Sequence, residues 1–154
     1  MSLQLGEIAP DFSLDSTEGR ISFHDWSGEH WVVLFSHPKD FTPVCTTELG
    51  AFARRKVEFD ARDTRIIGLS VDSVAEHKAW AQDVADVGGS TVNFPILADP
   101  DLEVARLYGM FHPKADPRVT VRSVFIIDPG KKVRLTLTYP PSAGRNVDEI
   151  LRVL

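Results

Sequence analysis

Cysteine is almost absent: Cys45 is the only one in 154 residues. One cysteine forms no internal disulfide, no Cys-x-x-Cys dithiol and no cysteine-based metal site. Long apolar runs are missing too, and without about 18 consecutive apolar residues no transmembrane helix is expected. Positive charge is in the minority, with 17 basic against 22 acidic residues and a net charge of −5. That is not the footprint of a nucleic-acid binder. Met1-Ser2-Leu3-Gln4-Leu5-Gly6-Glu7 carries neither the basic flank nor the apolar core of a secretion signal, so a cytoplasmic protein is expected. Repeats, low-complexity tracts and linkers are also lacking. What remains is an ordinary globular composition, 43% hydrophobic and 25% charged. It predicts one domain over 1–154 with a core of several buried elements.

Apolar runs alternate with helical patterns. Trp31-Val32-Val33-Leu34-Phe35-Ser36 is a continuous apolar run, typical of a strand buried on both faces. A helix is predicted over 43–60, with Leu49, Phe52 and Ala53 at core spacing. A strand follows over 65–71. Then comes a helix capped by Ser73 and running to about Asp86, with Val74, His77 and Ala81 near one stripe. Phe94 to Pro100 reads as a short strand and turn, and Asp101 to Tyr108 as a short helix stopped by Gly109. Ser123 to Asp128 is a strand, turned by Asp128-Pro129-Gly130 into an alternating partner over 133–139. Asn146 and Glu149 resemble a capping box for a last helix. That helix is still periodic at Leu154, the pattern of a chain that continues. Phe12 to Phe23 forms an opening hairpin around Ser16-Thr17-Glu18-Gly19. The fold class is α/β, a mixed central sheet flanked by helices and preceded by an N-terminal β-hairpin.

Cys45 lies in His37-Pro38-Lys39-Asp40-Phe41-Thr42-Pro43-Val44-Cys45-Thr46-Thr47-Glu48. Thr42 is a good helix N-cap and Pro43 a good first helical residue. Cys45 then falls in the first turn, where unpaired N–H groups and the positive end of the helix dipole favour a thiolate, the reactive form of the residue. The competing reading is a small buried hydrophobe. The polar first turn argues against it.

Pro38, Thr42 and Cys45 match Pro-x-x-x-Thr-x-x-Cys, and the chain resembles the peroxiredoxins. The strings over 35–50 and 144–152 resemble their one-cysteine, peroxiredoxin-6 type subfamily, and the likeness runs from Gly6 onward. It implies a thioredoxin-like fold and a thiol-dependent peroxidase without metal or cofactor. By resemblance Cys45 is the peroxidatic cysteine, Thr42 the hydroxyl that holds peroxide and sulfur, and Pro38 the shield against water. Arg122 matches the family's active-site arginine. His37 stands in the pocket wall, and Glu48 and Arg145 resemble a supporting pair around it. Peroxide reduction is attack of sulfur on an O–O bond, and the leaving oxygen needs preorganised donors. An arginine fork can address two acceptors at once. The product is a sulfenic acid, and no second cysteine exists to resolve it. The implied partners are a peroxide, an external reductant (glutathione, a thiol protein or a non-thiol reductant) and a second copy of the chain, joined through the edge strand 133–139.

Two departures from the subfamily stand out. Some members carry a phospholipase serine in Gly-Asp-Ser-Trp-Gly. Here the stretch is Gly28-Glu29-His30-Trp31-Val32, with His30 in the serine's place, Gly130 in that of the acidic partner, and only His24 retained. Members also continue for about 60–70 further residues, a further unit by domain size, so the chain reads as a catalytic core without the C-terminal extension and as a weakened dimer. Two other function classes compete: a cysteine hydrolase pairing Cys45 with His37 or His24, and a non-catalytic thioredoxin-like binding module. The former needs an oriented histidine and an oxyanion hole. The latter needs a Cys45 unreactive toward peroxide.

Overall fold

The computed structural model describes residues 3–37, 43–88, 91–110, 122–139 and 147–154. Its centre is a seven-stranded mixed sheet in the order β2-β1-β5-β4-β3-β6-β7. The strands are β1 Ser13–Ser16, β2 Gly19–Ser22, β3 Trp31–Ser36, β4 Thr64–Ser70, β5 Ile96–Ala98, β6 Arg122–Ile127 and β7 Val133–Tyr139. β3 runs parallel to β4 and antiparallel to β6, and β4 runs parallel to β5. β3 is apolar throughout because both its faces are covered. Val32 and Leu34 enter one core, with Phe12, Phe23 and Tyr108. Val33 and Phe35 enter the other, with Phe52, Trp80 and Ile150. Helices α2 Pro43–Arg54, α3 Lys56–Asp60, α4 Val74–Gly88 and α6 Val147–Val153 supply the second core; α1 Phe23–Ser27 and α5 Glu103–Tyr108 supply the first.

Several expectations change in detail. The helix over 43–60 is two helices, broken at Arg55, whose backbone (φ −105°, ψ 12°) leaves the helical region. The break turns Phe59 inward to meet Phe52, ring centroids 5.8 Å apart. Arg55 holds the corner by pairing with Glu58 on α3 and Asp148 on α6. Helix α1 was not anticipated. It has five residues, too few for a period, and Ser22 makes no side-chain cap. Its support is distant in sequence: the Asp11 carboxylate accepts the His24 N–H at 2.9 Å. Helix α5 starts at Glu103, later than expected, because buried Asp99 takes the N–H groups of Glu103 and Ala105, each at 2.9 Å. Gly109 ends it in the left-handed region (φ 66°), as expected.

Ser73 caps α4 as read. The box is reciprocal, with Glu76 N–H donating to Ser73 Oγ and Ser73 N–H donating to Glu76 Oε1, both at 3.1 Å. The buried stripe of α4 is His77, Trp80 and Val84, while Val74 and Ala81 are half-buried. The expected cap residue Asn146 lies outside the described residues. No helix among the described residues is long and apolar enough to cross a membrane.

The β6–β7 turn is organised by Asp128. Its carboxylate accepts the Lys132 N–H at 2.9 Å and Arg134 Nη1 at 3.2 Å. Burial alone would raise this carboxyl, but those two donors outweigh it and hold it below the usual range. A depressed folded-state value stabilises the fold above the unfolded carboxyl's range, and that stabilisation is lost as pH falls through the folded value. Asp128→Ala should lower stability by about 1–2 kcal/mol at pH 7. Urea unfolding should show the gap to the parent narrowing at about pH 3, below the ordinary carboxyl range. A gap that widens in acid would contradict this account of the turn.

Candidate active site

The site forms where two strand ends meet a helix start. β3 and β6 are antiparallel, pairing Phe35 with Val124. Continuing that register sets Ser36 against Ser123 and His37 against Arg122. The first step is visible as Ser123 N–H donating to Ser36 Oγ at 3.1 Å. His37 N–H extends β3 toward β4 by donating to the Leu69 carbonyl at 3.0 Å. This is the carboxyl end of the parallel strands, where open α/β sheets place their ligands.

Pro43 is the first residue of α2, and Cys45 is the third. The proline suits that position because its missing N–H would have had no intrahelical partner. Cys45 is buried, with 1% of its surface exposed, in the same core as Val33, Phe35 and Leu49. The polar first turn therefore does not keep the sulfur in water. It packs the sulfur inside while the backbone supplies the positive helix end, so burial alone does not separate a nucleophile from a structural thiol.

Glu48 sits three residues after Cys45, on the same face of α2. Its Oε1 accepts a hydrogen bond from Arg122 Nη1 at 2.6 Å. Both side chains are buried, Arg122 to 2% and Glu48 to 5% exposure. Arg122 is thus a buried cation at the start of β6, held to the cysteine-bearing face of α2. Its guanidinium is a planar fork of five N–H donors, of which Nη1 serves Glu48. The sequence reading grouped Glu48 with Arg145; here Arg122 bonds Glu48, and Arg145 lies outside the described residues, as do Pro38 and Thr42.

His37, which the resemblance places in a pocket wall, is buried. Its ring packs on Trp80, centroids 4.8 Å apart, and faces His77 edgewise at 6.1 Å. His77, given no role from sequence, donates from Nε2 to the Leu97 carbonyl at 2.9 Å. Trp80 donates from Nε1 to Thr46 Oγ1 at 2.9 Å, reaching the residue beside Cys45. Nothing local in the sequence could have revealed this bond, because its partners are 34 positions apart. Among the described residues no cluster of histidine, cysteine and carboxylate side chains could hold a metal ion.

His24 lies on the opposite face of the sheet from Cys45, with Phe23 and Ala9. Its Nε2 donates to the Ala9 carbonyl at 2.7 Å. It is therefore no partner for Cys45, which weakens the hydrolase reading. Ala9 N–H in turn donates to the Lys131 carbonyl at 2.7 Å, bringing His24 beside the turn that contains Gly130. His30 is half-buried and bonds Asp63 through Nδ1 at 2.6 Å.

Comparison with known proteins bears directly on this arrangement. Residues 5–136 match the model of the AhpC/TSA family. The "1-Cys peroxiredoxin" of Dictyostelium discoideum is 51% identical over 152 residues, covering 99% of this chain and 63% of the relative. The chain thus spans less than two thirds of that relative's length. Among solved structures, a cysteine-to-serine variant of peroxiredoxin 6 from Arenicola marina superposes with a TM-score of 0.95. It is 47% identical, with 99% of this chain and 72% of that one covered. A yeast mitochondrial 1-Cys peroxiredoxin, solved for its thiol resolution through glutathione and thioredoxin systems, gives a TM-score of 0.92 at 51% identity, covering 98% and 74%. The thioredoxin-like fold expected from the sequence follows from these neighbours, and so does kinship: the chain belongs to the AhpC/TSA family, among the one-cysteine peroxiredoxins.

Proposed function

We propose that this chain is a thiol-dependent peroxidase that reduces hydrogen peroxide and organic hydroperoxides at Cys45. The observation that carries the reading is the buried Arg122–Glu48 pair on the Cys45 face of α2. Glu48 follows Cys45 by about one helical turn and holds a buried cation, which supports a role for Arg122 at the cysteine. The Cys45 thiolate attacks the terminal peroxide oxygen. The S–O bond forms as the O–O bond breaks, and the departing hydroxide or alkoxide takes a proton. Arg122 and the N–H groups of the helix start stabilise the charge moving onto that oxygen. By family resemblance Thr42 orients peroxide and sulfur, Pro38 limits water, His37 forms the wall, and Glu48 with Arg145 supports the arginine.

Cys45 becomes a sulfenic acid. An external thiol displaces water to give a mixed disulfide, and a second thiol releases the Cys45 thiolate. Glutathione or a thioredoxin-type protein fits this role, as in the yeast relative, whose solved structure concerns those systems. Such a cycle needs a reducing compartment, and we assign the chain to the cytoplasm, although that relative is mitochondrial by name.

Cys45→Ser should abolish peroxide turnover while leaving the fold intact. Arg122→Met should slow the reaction by about 10²–10³-fold. It also leaves Glu48 buried without this partner, which typically costs about 3–5 kcal/mol, so rates are compared per folded molecule. Arg122→Lys keeps the charge but loses the fork and should fall between. Stopped-flow kinetics with peroxide reads all three. Parent-like rates for Arg122→Met would remove Arg122 from the site, and thiol-dependent turnover in Cys45→Ser would remove Cys45.

We also propose that the chain lacks phospholipase activity, since His30 bonds Asp63 where relatives have the serine. Calcium-independent release of fatty acid by the purified protein, above a matched blank, would refute this.

Self-association is the last element of the proposal. β7 ends the sheet order, with Val133 buried, Leu135 and Leu137 half-buried, and Arg134, Thr136 and Thr138 exposed. The start of β7 is already bonded by the N-terminal segment, Val133 N–H donating to the Glu7 carbonyl and Gly6 N–H to the Val133 carbonyl, so the stretch offered to a second copy runs from Arg134 onward. Light scattering over a dilution series should report a concentration-dependent dimer. A strict monomer at high micromolar concentration would contradict edge pairing.

A further inference from the structure

Trp80 is fully buried at the middle of α4, far in sequence from both strand ends of the site. It nonetheless touches both His37, just past the end of β3, and Thr46, beside Cys45. Its ring packs on His37, with centroids 4.8 Å apart. Its Nε1–H donates to Thr46 Oγ1 at 2.9 Å. Thr46 directly follows Cys45, so this bond sets the place of the first turn of α2 relative to the wall at the end of β3. The hydrophobic effect explains why an indole is buried here, but it does not explain the bond's direction. Packing is satisfied by many orientations of a large ring, whereas the single N–H selects one.

We infer that Trp80 is a positioning residue for the Cys45 reaction, holding the first turn of α2 against His37 through Thr46. The inference rests on the assignment of Cys45 as the nucleophile. In-line attack tolerates little misplacement of the sulfur, and errors near 1 Å can cost up to about a hundredfold in rate. A buried hydrogen bond to the adjacent residue is the kind of support that holds such geometry. Thr46 suits the task because its hydroxyl both accepts from the indole and donates elsewhere. His77, locked by its bond to the Leu97 carbonyl, stands edgewise to His37 and limits the ring's other movement.

The test is a double-mutant cycle on the reduced protein, read by stopped-flow reaction with hydrogen peroxide and by thermal unfolding. Trp80→Phe keeps an aromatic ring and removes the donor. Thr46→Val keeps the shape and removes the acceptor. Each should slow the reaction of folded protein by about tenfold. The double variant should be no slower than either single one, because both remove the same bond. Thr46→Ser, which retains the oxygen, should recover most of the rate. A purely structural role would move the melting temperature through the same cycle without changing the rate per folded molecule. Rates for Thr46→Val and Trp80→Phe within about twofold of the parent would overturn the inference. So would additive losses, or a Thr46→Ser variant as slow as Thr46→Val. Cys45→Ser is run beside them: if it still reduces peroxide, the nucleophile assignment fails. If it is inert while the cycle is flat, only the role of Trp80 fails.

Discussion

A buried arginine needs a partner, and that need organises much of this molecule. Arg122 opens β6 with 2% exposure, deep enough that an uncompensated guanidinium would be strongly destabilising. Glu48 of α2 meets it at 2.6 Å. The pair ties a strand to a helix that lie far apart in the chain, and it does so on the face that carries Cys45. Replacing both groups by well-packed apolar residues need not destabilise the fold, since buried ion pairs often gain little net stability. The pair is therefore weak evidence for stability and stronger evidence for a fixed relation between α2 and β6.

The strand pattern delivers the rest of the site. β3 is covered on both faces and sits between β4 and β6, so its end is a rigid point. His37 leaves that end with its backbone still bonded to Leu69. α2 then presents Cys45, Glu48, Leu49 and Phe52 to the sheet, all four buried, with Cys45, Leu49 and Phe52 in the second core. Gly68 on β4 permits this closeness, because a Cβ there would meet the Phe35 ring at 3.0 Å. Phe35 uses the space to stack on Phe52 at 4.6 Å.

Strands were legible in the sequence because their signals are local. β3 and β7 fall where the apolar run and the alternation place them. The first-turn position of Cys45 in α2 was legible for the same reason, since it follows from Pro43 and a few neighbouring residues. What escaped depends on distant partners. α1 is supported by Asp11, α5 by Asp99, and the break at Arg55 by Asp148 across the second core. No period records such bonds. The tie from Trp80 to Thr46 escaped too, although both residues were in view. An indole in an amphipathic helix signals burial, and its N–H direction is set only once the helices pack. The Glu48–Arg122 contact was hidden similarly: resemblance named both residues as part of the site but did not join them.

The sheet keeps two cores apart, alternating Val32 and Leu34 to one side with Val33 and Phe35 to the other. Cys45 packs in the second of them. Stability in such a layered molecule need not be shared evenly, because the helices on either face can open separately while the strands stay paired. Amide protons of α2 and α4 would then exchange through a different opening from those of α5 and the N-terminal hairpin.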